Sequence, residues 1–135
     1  MASGYSGTPL IKKLGIKSDS RILLINAPEN FGSLLGADIQ QQIVSGKIVP
    51  DIVNLFAKDR NSFLDGMKKV LPLYKKNPAM ITWVSWYKKS SGIKTDITED
   101  TIRNFALKGD LVDVKVCAIN EVWSGLKLVM RVSKR

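Results

Sequence analysis

The chain of 135 residues contains no histidine. That absence removes Ser-His and Cys-His nucleophile pairs, the usual zinc ligands and the commonest general base. Any chemistry therefore falls to Asp, Glu, Lys or Tyr. Cys117 is the single cysteine, which excludes an internal disulfide and a cysteine-rich metal site. Its place inside an apolar stretch predicts a buried, unreactive thiol. No metal site is expected. No apolar run approaches the roughly 20 residues that a membrane-spanning helix needs. The opening Met-Ala-Ser-Gly-Tyr-Ser-Gly-Thr-Pro also lacks the basic-then-apolar pattern of a secretion signal. These absences predict a cytoplasmic protein with no membrane partner.

Acidic residues are also scarce, with 12 Asp and Glu against 21 Lys and Arg and a net charge of +9. A nucleic acid or another polyanion would feel that excess over a Debye length. The lysines, however, form scattered pairs (Lys12-Lys13, Lys68-Lys69, Lys75-Lys76, Lys88-Lys89), as ordinary solvated helix surface also would. Hydrophobic residues make up 44%, and no linker or composition shift divides the chain, so residues 1–135 read as a single domain.

Three short apolar runs have the character of parallel strands covered on both faces: Arg21 to Asn26, Asp51 to Ala57 and Met80 to Trp86. Between the last two, Phe63, Leu64, Met67, Val70, Leu71 and Tyr74 recur at helical spacing. Asp59 or Asn61 is placed to cap the start, and Lys75-Lys76-Asn77-Pro78 to stop it. This predicts a right-handed crossover helix. A second helix opens at Thr98, with Glu99 and Asp100 complementing its dipole and Ile102, Phe105 and Ala106 facing inward. Gly109 stands where a left-handed cap would close it. Thr8 to Gly15 reads as a short capped helix. Residues 29–50 carry little signal beyond a helical turn at Phe31, Leu34 and Leu35 and an edge strand at Ile43-Val44 or Ile48-Val49. After Gly109 the period changes to two: Val112, Val114, Val116 and Ala118, then Leu126, Leu128, Met130 and Val132. A β-hairpin around Asn120 to Trp123 follows.

The order predicts an α/β fold: three-layer and Rossmann-like, with a mostly parallel sheet closed by a C-terminal antiparallel hairpin. It resembles a shortened class I methyltransferase fold. By that resemblance, residues 124–132 insert between strands 80–86 and 111–119.

Ligands of open parallel sheets bind beyond the carboxyl ends of the strands, and three loops there carry candidates. The first, Asn26-Ala27-Pro28-Glu29-Asn30-Phe31-Gly32, lacks the G-x-G turn of nucleotide-binding relatives. No cofactor is therefore expected, although S-adenosylmethionine or a nucleotide stays open, with Glu29 as a ribose contact or a solvated helix-start acid. The second, Ser85 to Asp96, holds Trp86 and Tyr87 for stacking, Lys88, Lys89 and Lys94 for anions, and Thr95 and Asp96 before a helix start. Its residues serve a ligand, or its tryptophan belongs to the core and Thr95, Asp96 and Thr98 cap a helix. The third is the hairpin tip, where Trp123 is a lid over the core or a ligand platform. Lys88 or Lys89 beside Asp96 or Glu121 could do acid–base work only if burial moved a pKa.

Ser3 to Leu10, Lys12-Lys13-Leu14-Gly15-Ile16, Ala27-Pro28-Glu29, Ser91-Gly92 through Thr95 to Asp100, Leu111 to Ala118 and Trp123 to Leu126 resemble a family of small bacterial proteins, domain of unknown function 3052. The resemblance spans nearly the whole chain and implies a bacterial cytoplasmic protein, with no activity, cofactor or active site to carry over.

The leading expectation is a non-catalytic ligand-binding or regulatory module on a degenerate methyltransferase-like fold, contacting a small anionic ligand or a protein partner through residues 85–96. Its rivals are a small transferase-type enzyme for a nucleotide-like or anionic ligand and a nucleic-acid-binding protein. Whether it is an enzyme, and its oligomeric state, are left open by the residues alone.

Overall fold

The computed structural model describes residues 9–45 and 47–135. The opening motif Ser3 to Thr8 lies outside them. The elements are α1 (Leu10–Lys13), β1 (Ile22–Ile25), α2 (Phe31–Leu35), β2 (Ile52–Ala57), α3 (Arg60–Val70), β3 (Ile81–Tyr87), α4 (Glu99–Lys108), β4 (Leu111–Ala118) and β5 (Trp123–Met130). All three apolar runs become strands. Helix α3 starts on an Asp59 cap reciprocated by Ser62, and α4 on a Thr98 cap reciprocated by Thr101. The predicted crossover helix is shorter than its apolar pattern. After Val70 the chain tightens into a 3-10 turn over Leu71–Lys75 with Pro72 in its first turn, because proline cannot continue an α-helix. Gly109 sits past α4 at φ −107, so the expected left-handed cap is not formed.

The strands form one mixed sheet in the order β1-β2-β3-β5-β4. β1, β2 and β3 pair in parallel, and β5 lies antiparallel between β3 and β4, in the inserted position that the methyltransferase-fold resemblance implied. Ile43 adds a single parallel bridge to Ile22, where Val44 N–H donates to the Ile22 carbonyl at 2.8 Å. Since Ile22 also pairs with Ile52 of β2, Ile43 must flank the outer side of β1. The chain thus leaves β1 outward, then returns to start β2 on the inner side. Progress across the sheet reverses between β1 and β2, a topological switch point.

Side chains alternate along β2 into two core clusters. Val53, Leu55 and Ala57 join Phe63, Met67, Ile102 and Ala106 from α3 and α4. Ile52 and Phe56 join Leu14, Phe31, Leu35 and Trp83. Asn54 points to the second face at 1% exposure, and its amide nitrogen has no hydrogen-bond partner among the described residues.

Strand β4 departs from strict alternation. Its register to β5 jumps between Asp113 and Lys115, leaving Val114 as an extra residue. A bulge of this kind turns every later side chain to the opposite face. Asp113 opposes Leu128 of the first cluster, where Arg103 of α4 reaches its carboxylate at 3.1 Å. Beyond the bulge, Cys117 falls on the second face and is buried, while Val114 and Val116 are exposed. The second strand of the hairpin ends at Met130, and Val132 lies in a terminal 3-10 turn instead of the sheet.

The first cluster holds one buried hydroxyl pair, Tyr74 Oη and Thr82 Oγ1, 2.7 Å apart. Burial pushes the Tyr74 phenol up to about 12, outweighing the opposing pull of Thr82. The folded protein therefore keeps this proton where the unfolded chain, titrating near 10, has lost it. The resulting stabilisation is complete below pH 10 and disappears between pH 10 and about 12. Over that window the wild-type protein is expected to lose on the order of 2 kcal/mol more than Tyr74→Phe in urea unfolding. Parallel pH profiles for the two proteins would contradict it.

Candidate functional site

The switch point directs attention to the carboxyl ends of β1, β2 and β3. After β1, Asn26 adopts φ +56, a left-handed conformation that asparagine tolerates better than most residues. Ala27 and Pro28 follow, and Phe31 N–H donates to the Pro28 carbonyl at 3.0 Å to open α2. The tight turn is thus made without glycine. Glu29 is exposed on it.

After β2, the Asp59 carboxylate accepts the Ser62 N–H at 2.8 Å, and the Ser62 hydroxyl accepts from Lys58 and Asp59 N–H at 3.1 and 3.2 Å. The Ser62 N–H, then the Ser62 hydroxyl, hold the Asp59 carboxyl below its usual range.

The loop after β3 is clipped onto this same turn. Thr95 Oγ1 donates to the Lys58 carbonyl at 2.7 Å, and Asp96 Oδ1 accepts the Arg60 N–H at 2.7 Å. Thr95 and Asp96 therefore stabilise the start of α3, a different helix from the one that follows them in sequence. At the loop's other end, Lys88 N–H donates to the Val122 carbonyl at 2.8 Å, which ties it to the hairpin tip. There, Asn120 Oδ1 accepts from both Val122 and Trp123 N–H at 2.9 Å.

The aromatic candidates part company. Trp86 and Trp123 are each 7% exposed but belong to different core clusters, so they cannot wall one pocket together with Lys88 and Asp96. Trp86 lies across from Ala57 in the sheet and shares the first cluster with Ile97. Trp123 stacks on the half-buried Tyr87 (centroids 4.5 Å, 26°) and meets Phe56 edge-on at 5.0 Å, while Phe56 meets Phe31 at 5.4 Å. A row of rings from α2, β2, β5 and β3 thus closes the second cluster below the carboxyl edge. Such contacts occupy the indole faces that a ligand would otherwise use.

Toward solvent the edge presents cations beside the exposed Glu29 and Glu121. Lys58, Arg60, Lys89 and Lys94 are exposed, and Lys88 is half-buried. Lys58 and Arg60 belong to no sequence motif; their position just past an apolar run is their only signal. Of the nearby acids, Asp59 and Asp96 are committed to backbone N–H groups. Chemically, the edge can hold negative charge. Proton transfer would require a carboxylate with a raised pKa, and Asp59 is displaced in the opposite sense.

Clefts of about 330 and 510 Å³ lie at the opposite, amino edge, around Lys17, Asp19, Ser20, Arg21 and Asp51. The Asp51 carboxylate accepts the Arg21 N–H at 2.8 Å and pairs with its guanidinium at 3.4 Å, so these two lining groups partner each other.

No protein-family model and no curated protein sequence matches this chain. Among solved structures, an uncharacterised protein from Listeria monocytogenes serotype 4b is similar over 94% of this chain and 69% of its own, with a TM-score of 0.57 and 8% identity. A protein of the NADB-Rossmann superfamily from Streptococcus agalactiae is similar over 96% and 71%, with a TM-score of 0.57 and 7% identity. At such identities the likeness concerns the fold alone: this is a mixed α/β chain with Rossmann-like neighbours.

Proposed function

We propose that the chain is a non-catalytic binding or regulatory module, related to the domain of unknown function 3052 proteins, that holds a small anionic ligand at the carboxyl edge of its sheet. On this reading it is a cytoplasmic, three-layer Rossmann-like domain, a degenerate methyltransferase-like fold whose first turn no longer takes S-adenosylmethionine. The observation that carries it is the division of labour at that edge. Lys58, Arg60, Lys89 and Lys94 are exposed, while the neighbouring Asp59 and Asp96 carboxylates are spent on the start of α3. None of these four cations forms an ion pair among the described residues. The turn after β1 supports the second half: Ala27-Pro28 puts side chains and a rigid ring where glycine would let a cofactor approach the backbone.

Thermal denaturation tests the reading. Saturating inorganic triphosphate or ATP at low salt is expected to raise the midpoint by several degrees, and S-adenosylmethionine to leave it unmoved. The shift should vanish in Lys89→Gln/Lys94→Gln. A shift of several degrees with S-adenosylmethionine, or a triphosphate shift untouched by that double substitution, would overturn it.

A further inference from the structure

A second basic site lies away from the carboxyl edge. On the face of the second cluster, the register sets Lys115 of β4 directly across from Lys127 of β5. Like charges in such positions repel, so a sheet does not gain stability from this pair. The arrangement is also built by a specific device. Under strict alternation along β4, Lys115 would share the face of Asp113, where Arg103 packs; the bulge at Val114 turns it to the face of Lys127 instead.

Lys13 of α1 joins them. It and Lys115 both act electrostatically on the thiol of Cys117, whose pKa burial nevertheless raises, and Lys127 is itself depressed by partial burial and then by Lys115. Three ammonium groups from three elements therefore border one patch. Among the described residues none of them forms an ion pair: the acids that do so are Glu99, Asp100 and Asp113 on Arg103, and Asp51 on Arg21. Of the aromatic residues of this face, Phe31, Phe56, Trp83 and Trp123 are buried and the half-buried Tyr87 is stacked on Trp123, so a ligand here meets charge without a free stacking platform.

We propose that Lys13, Lys115 and Lys127 bind the phosphate backbone of a nucleic acid, through the face that the β4 bulge creates. The occupant follows from charge complementarity: neighbouring ammonium groups, Lys115 exposed and Lys13 and Lys127 half-buried, suit a polymer of repeated phosphates, and the chain's charge of +9 attracts it from a distance. Contact with the backbone alone makes the binding independent of base sequence. This site is separate from the carboxyl edge and does not rest on the function proposed for it.

The test is fluorescence anisotropy of a labelled 20-base-pair DNA duplex against the full chain, from 50 to 200 mM salt. Three lysines on phosphate predict a log–log salt slope of about −2.7 from this face, and Lys115→Gln/Lys127→Gln should lower its magnitude by about 1.8. That variant is expected to melt at or above the wild-type temperature, since it removes a repulsion. Lys89→Gln/Lys94→Gln, run in parallel, reports on the carboxyl edge alone, so either site can fail without the other. No binding at 50 mM salt, or a slope unchanged in folded Lys115→Gln/Lys127→Gln, would overturn the proposal.

Discussion

Trp83→Ala is expected to remove about 3–5 kcal/mol of stability through the loss of its buried indole, a large share of what a domain of this size possesses. Trp83 is 0% exposed, at the middle of β3, and packs in the cluster that joins α1 and α2 to the sheet. Its Nε1–H donates to the Leu14 carbonyl at 2.9 Å across 69 residues of sequence. Truncation therefore opens a cavity and also strands a carbonyl just past α1, worth about 1–3 kcal/mol when buried. Trp83→Phe fills much of the cavity but breaks the bond, so it should fall between the two. Urea midpoints followed by circular dichroism check the ranking. A Trp83→Ala protein within about 1 kcal/mol of wild type would mean that the N-terminal segment is not anchored through this residue.

The second large effect is expected at Gly66, on the buried side of α3. A Cβ placed there would stand 2.4 Å from Leu55 Cδ1 and 2.8 Å from Cδ2, and Leu55 is fully buried in β2. A buried leucine has little room to yield. Glycine here is a packing requirement, bringing the helix close to its strand, and carries the usual helix-interior cost of about 1 kcal/mol. Gly66→Val should destabilise by about 2–3 kcal/mol, in the range of core overpacking. Gly66→Ala should cost less, since better helix propensity offsets part of the clash. Pairing Gly66→Val with Leu55→Ala should cost clearly less than the sum of the two, because one change makes room for the other. Additive effects would show that the two residues do not collide.

The sequence made some of this legible and hid the rest for physical reasons. The strands β1, β2 and β3 appear as unbroken apolar runs because both of their faces are covered, and Asp59 and Thr98 announce their helices through local capping chemistry. The β4 bulge leaves no local mark: Val112, Val114, Val116 and Ala118 keep an unbroken period of two through it. The face of Lys115 is set by pairing with β5, and so is its meeting with Lys127. Composition likewise identified residues 85–96 as rich in rings and charge, but not which groups the fold would consume. Trp83 and Trp86 are an odd number of residues apart on one strand, so they must point to opposite faces; that alternation was readable. The commitment of Thr95 and Asp96 to the start of α3 is a contact across 37 and 36 residues respectively, and no spacing rule reports it.

The central claim is that the carboxyl edge at the switch point binds an anion. Titration of the ¹⁵N-labelled protein with ATP, followed by backbone amide chemical shifts at low salt, tests it most directly. The account predicts saturable shifts at residues 26–30, 58–60 and 88–96, with the amides around Lys17, Asp19 and Asp51 unmoved. Shifts confined to that amino edge, or an unchanged spectrum at millimolar ATP, would contradict it.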